Sequence, residues 1–325
     1  MKTALALILA CCAALAADDV QPVPIVFDTD MGNDVDDALA LALLHSLENR
    51  GECRLIAVTI TKDNRWSAPY IDLVNTFYGR PNIPIGMVKG SGVTPKDSNM
   101  IRVPSERKRA DGTPVYPHRL QAGTEAADAT EVLRRVIATQ PDGSVVVVQV
   151  GFSTNMARLF KAAPDLVRRK VRLLVMMAGN FAKGEPEFNV KMDVAAAQDV
   201  FSTWPTPIVV SGFEVGNSML YPAASIEKDF SYVKDHPIAD AYRNYMRMPY
   251  DRPSWDITAA LYAVRPERGY FSMSPPGRVT VDAKGVTTFN PAPDGPHRYL
   301  TVDGTQKARV LESMILLASE PPLTR

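Results

Sequence analysis

An open, mostly parallel α/β sheet with helices on both faces is the fold class that the sequence predicts, followed by a small C-terminal β-hairpin and helix. Three observations predict it. Short apolar runs alternate with helix-length segments rich in Ala and Leu, the order of a parallel sheet covered by helices. The runs are continuously apolar instead of alternating, as strands buried on both faces require. No internal repeat or composition break divides the 325 residues, 46% of them hydrophobic and 22% charged, so one domain is expected over residues 22–325.

The first expected strand is Pro24-Ile25-Val26-Phe27, which ends in an acidic cluster. Apolar residues continue at helical length from Val35 to Leu47. Arg54 to Ile60 is a β-branched strand, and Tyr70 to Tyr78 reads as a helix. The alternation resumes with a strand at Val145–Val150 and a helix near Asn155–Ala163. A strand at Val171–Met177, a helix at Ala195–Phe201 and a strand at Pro207–Val210 follow. Residues 88–119 are rich in Gly, Pro and charge, and the basic run from Arg102 to Arg109 is expected to be an exposed, solvated loop. Arg278 to Phe289 alternates around Asp282-Ala283-Lys284-Gly285, a hairpin signal, and Gln306 to Ala318 closes as a helix.

Formal net charge is zero, so no nucleic-acid partner is expected. The N-terminus reads as an export leader over residues 1–17. Met1-Lys2 supplies positive charge, Thr3 to Leu15 is almost wholly apolar, and Ala14-Leu15-Ala16 fits the small-x-small pattern before a cleavage site. That run is too short to span a bilayer. A periplasmic or secreted protein is the expectation; Ile8-Leu9-Ala10-Cys11 loosely resembles a lipoprotein processing site, which leaves a lipid-anchored form open. Removal of the leader takes Cys11 and Cys12 with it, and Cys53 alone forms no internal disulfide. Beside Leu55-Ile56-Ala57-Val58, Cys53 is expected to be a buried small apolar residue.

The most informative stretch is Phe27-Asp28-Thr29-Asp30-Met31-Gly32-Asn33-Asp34-Val35-Asp36-Asp37-Ala38, with five aspartates in ten residues. It lies at the end of a buried strand and the start of a helix, where open α/β sheets place ligands. One or two of these carboxylates suffice to cap a helix. Five repel one another unless a cation neutralises them, and hard oxygen ligands suit calcium or magnesium. An Asp-x-Asp after the first strand also fits a phosphatase of the haloacid-dehalogenase type. That family expects Thr or Val where Gly32 stands, and its later acidic pair is hard to find here.

The segment Asp28-Thr29-Asp30-x-Gly32-x-Asp34-x-Asp36-Asp37-Ala38 closely resembles the N-terminal motif of the inosine-uridine preferring nucleoside hydrolases. The resemblance continues along nearly the whole mature chain. Ala57-Val58-Thr59-Ile60 with Asn64, Gln149-Val150-Gly151-Phe152-Ser153-Thr154-Asn155, Met176-Met177-Ala178-Gly179-Asn180, Glu187-Phe188-Asn189 and Ser254-Trp255-Asp256 follow in the family's order. It implies the nucleoside hydrolase fold, a nucleoside or other ribosyl substrate, Ca2+, and a homo-oligomer, dimer or tetramer. Carried over by position, Asp30, Asp37 and Asp256 would ligate calcium through carboxylates and Val150 through its carbonyl. Asp36, Asn64, Glu187 and Asn189 would hold the ribose hydroxyls, with Asn180 nearby, and Asp30 would be the general base. Asn64 as a turn residue and Asn189 as a strand-end cap are the plainer alternatives.

Two departures from the family pattern matter. Asp34-Val35 lengthens the motif, so a slip of two residues in matching the later aspartates is open, with Asp37 the preferred match. Trp255 stands where well-known members have a histidine that helps protonate the leaving base; an indole N–H is no acid near neutral pH, although the ring can stack on an aromatic leaving group. Of the four histidines, His45 reads as structural and His236 is a candidate substitute acid. A ribosyl hydrolase, a non-catalytic ribosyl-binding protein and the phosphatase are the functions to be separated.

Overall fold

The computed structural model describes residues 21–90 and 98–323; the leader expected over residues 1–17 lies outside the described residues. β1 (Val23–Thr29) runs into α1 (Asp36–Asn49), β2 (Cys53–Ile60) into α2 (Ser67–Phe77), and β3 (Ile85–Met87) into α3 (Asn99–Glu106). β4 (Ala127–Asp128) precedes α4 (Ala129–Ala138), and β5 (Val145–Gln149) precedes α5 (Thr154–Ala162) and α6 (Pro164–Lys170). β6 (Val171–Met177) leads to α7 (Phe188–Met192) and α8 (Val194–Thr203). After β7 (Ile208–Ser211) come α9 (Phe213–Asn217), β8 (Leu220–Tyr221), α10 (Ala223–Lys228), α11 (Pro237–Tyr245), β9 (Arg252–Pro253) and α12 (Asp256–Val264). β10 (Ser272–Met273), β11 (Gly277–Val281), β12 (Thr287–Pro291), β13 (His297–Thr301) and α13 (Gly304–Ala318) follow.

The main sheet has the order β12-β11-β13-β7-β6-β5-β1-β2-β3-β4, with β10 paired to β13. Every pair from β7 to β4 is parallel. β1 therefore lies where the chain order reverses, between β2 on one side and β5 on the other. Asp28 pairs in register with both Thr59 and Gln149. The crevice beyond the carboxyl ends of β1 and β5 is the topological switch point at which such sheets bind ligands.

Side chains alternate between two buried layers. Ile25 and Phe27 of β1 pack with α1, α2, α11, α12 and α13 on one face, whereas Val26 packs with α4, α5 and α8 on the other. Every residue of α1 from Asp36 to Leu47 is buried, so this helix is covered all round and its N-terminal aspartates begin life inside the protein. Cys53 is buried in the same layer, as its neighbours suggested.

The structure corrects one expectation. The stretch Arg102–Arg109 is not simply a solvated loop: Asn99–Glu106 is helical, with Met100 and Ile101 fully buried, and Arg107 pairs with Asp235 at 2.8 Å and also with Asp240. An eight-residue helix containing Pro104 is too short to show a 3.6-residue period. The expected C-terminal hairpin is β11–β12, and the expected closing helix is α13. β13, a strand not anticipated, joins β7 in parallel and carries the antiparallel β11–β12 hairpin onto the main sheet.

Candidate active site

The acidic segment leaves β1 at its carboxyl end and turns back at Gly32, whose φ of +109° is open to glycine at little cost. Asp28 is fully buried and ties strands together: its Oδ1 accepts from Thr59 Oγ1 at 2.5 Å and Asn155 Nδ2 at 2.8 Å. Burial nevertheless pushes its carboxyl up to about 7. Thr29 Oγ1 donates to Asp37 Oδ1, and Asn33 Nδ2 donates to Asp30 Oδ2. The segment thus fixes its own carboxylates by side-chain bonds before any ligand is considered.

A second helix end meets the first. Asp36 Oδ2 accepts from the backbone N–H of Trp255 at 2.7 Å and of Asp256 at 3.0 Å, which joins the N-terminus of α1 to that of α12. Both helix dipoles therefore present their positive ends to one acidic cluster. One carboxylate oxygen each from Asp36, Asp37 and Asp256 lies within 4.8 Å of the others, and all three residues are buried. Burial, and then the charge of Asp34, hold Asp36 up to about 8, while burial and the neighbouring carboxylates hold Asp37 and Asp256 well above the usual carboxylate range. Carboxylates so placed ionise together only against a cation, and an all-oxygen donor set fits a hard divalent one. Asp30 and Val150 line the same cavity.

One cation is already built in. Lys62, at 0% exposure, donates from Nζ to Asn33 Oδ1 at 2.8 Å and lies in the field of Asp30 and Asp37. Burial raises the Asp30 carboxyl, and Lys62 works against that rise.

The cavity of about 290 Å³ has a polar floor and an aromatic wall. On the floor, Asn189 Nδ2 donates to the Val150 carbonyl at 2.7 Å and to Met177 O at 3.1 Å. Glu187 caps α7, accepting from the N–H groups of Asn189 at 2.9 Å and Val190 at 3.2 Å, and also from Gly179 at 3.2 Å; burial raises it to about 7. On the wall, Trp255 stacks on Phe213 with centroids 5.6 Å apart, and its indole N–H donates to Phe213 O at 3.0 Å. Phe188 is 50% exposed at the rim.

The family profile described as inosine-uridine preferring nucleoside hydrolase matches residues 25–312. The chain belongs to that family. The pyrimidine-specific ribonucleoside hydrolase RihA of Salmonella typhi is 32% identical over 219 residues, which cover 63% of this chain and 65% of that relative. The match thus spans just under two-thirds of the curated relative's length. Several solved structures share the fold. An inosine-uridine preferring nucleoside hydrolase from Bacillus anthracis superposes with a TM-score of 0.71 at 18% identity, over 91% of this chain and 99% of that one. A purine-preferring ribonucleoside hydrolase from Gardnerella vaginalis gives 0.69 at 19% identity, over 91% and 99%.

Against the residues that the nucleoside hydrolase motifs single out, the structure brings Asp30, Asp36, Asp37, Val150, Glu187, Asn189, Trp255 and Asp256 to one cavity. The tight triad includes Asp36, expected on the sugar, and leaves Asp30 beside it. Asn64 and Asn180 are not on the cavity wall. Asn64 Oδ1 accepts from Trp66 N–H at 2.7 Å and serves the turn into α2, while Asn180 Oδ1 accepts from Lys183 N–H at 3.2 Å. His236 is buried elsewhere: its Nδ1 accepts from Ile238 N–H at 3.2 Å to cap α11, which assigns the proton to Nε2, 2.7 Å from Tyr232 Oη. Burial drives it down to about 3, so it is held neutral and away from the cavity. His45 is structural, bonded to Asn75 at 2.9 Å and stacked on Tyr78.

Lys62, Phe213 and Arg252 escaped the sequence reading, and Asp34 was singled out only as one of the five clustered aspartates. Asp34 and Arg252 form a forked pair, Nε to Oδ1 at 3.0 Å and Nη2 to Oδ2, on the cavity wall. A lysine two residues beyond the buried strand β2 was the signal available for Lys62. Nothing local marks Arg252, whose partner lies 218 residues away.

Proposed function

We propose that this chain is a calcium-dependent hydrolase of the N-glycosidic bond of a ribonucleoside or related ribosyl compound. One observation carries the reading: Asp30, Asp36, Asp37 and Asp256 meet Glu187 and Asn189 around a single cavity at the switch point, in a chain of this family. Asp37, Asp256 and Asp30, with the Val150 carbonyl, are the residues that would hold Ca2+, which when bound supplies Lewis acidity to an attacking water. The carbonyl has a second lone pair to offer, because Asn189 occupies only one. Asp30 takes the proton of the water that attacks the anomeric carbon. Asp36, Glu187 and Asn189 hold the ribose hydroxyls and convert sugar binding into alignment of that carbon. Trp255 and Phe213 give an aromatic leaving group a surface on which to stack.

A second reading, a ribosyl-binding protein without turnover, draws on a specific observation: none of the four histidines lines the cavity, and the Trp255 N–H is already committed to Phe213. Ribose release from purine, pyrimidine and nicotinamide ribosides, with and without a calcium chelator, separates the two. The hydrolase gives chelator-sensitive turnover of at least one riboside, restored by added calcium, and Asp30→Asn keeps the fold while losing about 10²–10⁴-fold in rate. Calcium and ribose bound without release from any riboside favours the binding protein. We further propose that residues 1–17 direct export, checked by the mass of the mature N-terminus, and that the protein is a homo-oligomer, checked by light scattering.

A further inference from the structure

We infer that Arg252, held by Asp34 and laid against Trp255, is the electrophilic residue that stabilises the leaving base, and that it selects bases departing as anions with a conjugated carbonyl oxygen. The inference rests on the hydrolase reading above and concerns the half of the reaction that reading leaves without an acid.

The placement is over-determined. Asp34 grips the Nε and Nη2 edge of the guanidinium, and Nη2 also donates to Tyr245 Oη at 3.1 Å. The Cζ atom lies 5.4 Å from the centre of the Trp255 ring and 5.2 Å from that of Tyr245. The same short segment carries Asp256 into the acidic cluster, so the guanidinium and the triad share one rigid turn. Nη1 has no acceptor among the described residues, although Arg252 lines the cavity. Two N–H donors thus remain on a side chain whose other edge is fully committed. The lengthening of the aspartate motif at Asp34-Val35 and the tryptophan at 255 meet here: the first supplies the carboxylate that grips Arg252, the second the ring beneath it.

A guanidinium cannot serve as a proton donor near neutrality. It can stabilise developing negative charge in a site with little water. The C1′–N bond breaks with its electron pair moving to the base nitrogen and, by conjugation, to a carbonyl oxygen such as O2 of uracil, which accepts from Nη1. The water oxygen forms the new C1′–O bond and passes one proton to Asp30; the released base anion takes its proton from solvent. A pyridinium base such as nicotinamide departs neutral and needs no such partner.

Steady-state kcat/KM for uridine and nicotinamide riboside tests this on the calcium-loaded protein. Arg252→Gln is expected to lower the value for uridine about 100-fold. Nicotinamide riboside should lose far less, so that the ratio of the two moves at least about 30-fold toward it. Arg252→Lys, which keeps the charge, should restore the wild-type order; a lysine variant indistinguishable from the glutamine one overturns the charge argument. An equal fall for both substrates, with melting temperatures unchanged, overturns the inference alone and assigns Arg252 to holding the wall. A wild-type protein that cleaves neither compound nor any other riboside removes the hydrolase reading and this inference with it.

Discussion

Lys62 is the residue whose chemistry is hardest to replace. Its Nζ is fully buried and bonded to Asn33; burial pulls the ammonium below the usual lysine range, and Asp30 and Asp37 oppose that fall. Removing one partner of a buried charged set leaves the others uncompensated. Lys62→Met should therefore destabilise the calcium-free protein by about 3 kcal/mol. Calcium should recover most of that loss, because a divalent ion restores the missing positive charge. Melting curves with calcium and with chelator check this, and a loss that calcium does not reduce would show Lys62 acting through packing. His45 offers a cleaner pH effect. Burial first, and Arg80 second, hold it down to about 3 against an ordinary 6.5, so the folded protein keeps it neutral while the unfolded chain protonates below pH 6.5. Stability from this group is complete above pH 6.5 and drains away as pH falls toward 3. Between pH 7 and 5 the drain amounts to about 2 kcal/mol, and His45→Gln should remove it from the difference in urea unfolding at the two pH values.

At the scale of elements, the site depends on how closely β1 and the turn after β5 approach. A Cβ built on Gly151 would lie 2.4 Å from Thr61 Oγ1 and 2.7 Å from the Asp30 nitrogen. Gly151→Ala should cost about 1–3 kcal/mol and displace Asp30, so calcium affinity should fall along with the melting temperature. Gly304→Ala, where nothing lies within 4 Å, is the control; equal effects at both positions would refute the steric account. This approach was legible only in part. The strands β1, β2, β5, β6 and β7 announced themselves because burial on both faces demands unbroken apolar runs. The helix α12 did not, because all nine of its residues are buried and, after Asp256, Thr258 is its only polar side chain among apolar ones, too few to show a helical period. The aspartates of the site were legible because they crowd one segment. Lys62 and Arg252 were not, since their partners Asn33 and Asp34 lie 29 and 218 residues away.

Across the whole molecule, the proposed cation site would couple proton release to metal binding. Burial raises all three carboxyls, with Asp34 adding to it at Asp36, Asp30 and Asp36 at Asp37, and Asp36 and Asp37 at Asp256, so without a cation the fold holds protons on this cluster to higher pH than the unfolded chain does. Carboxyls of this kind stabilise the metal-free fold as pH falls, and that contribution is lost as pH rises through their folded values. Calcium must displace those protons, which opposes it at low pH. The rise in melting temperature on adding a fixed calcium concentration should therefore be larger at pH 8 than at pH 6; a rise independent of pH would argue that the cluster is ionised without the metal. The contact that closes this cluster, Asp36 on the amides of Trp255 and Asp256, spans 220 residues of chain. A polypeptide growing from its N-terminus presents its aspartates long before the turn that caps them has been synthesised. The cavity is therefore incomplete until Asp256 has been synthesised, and a fragment ending before it is expected to bind neither cation nor sugar.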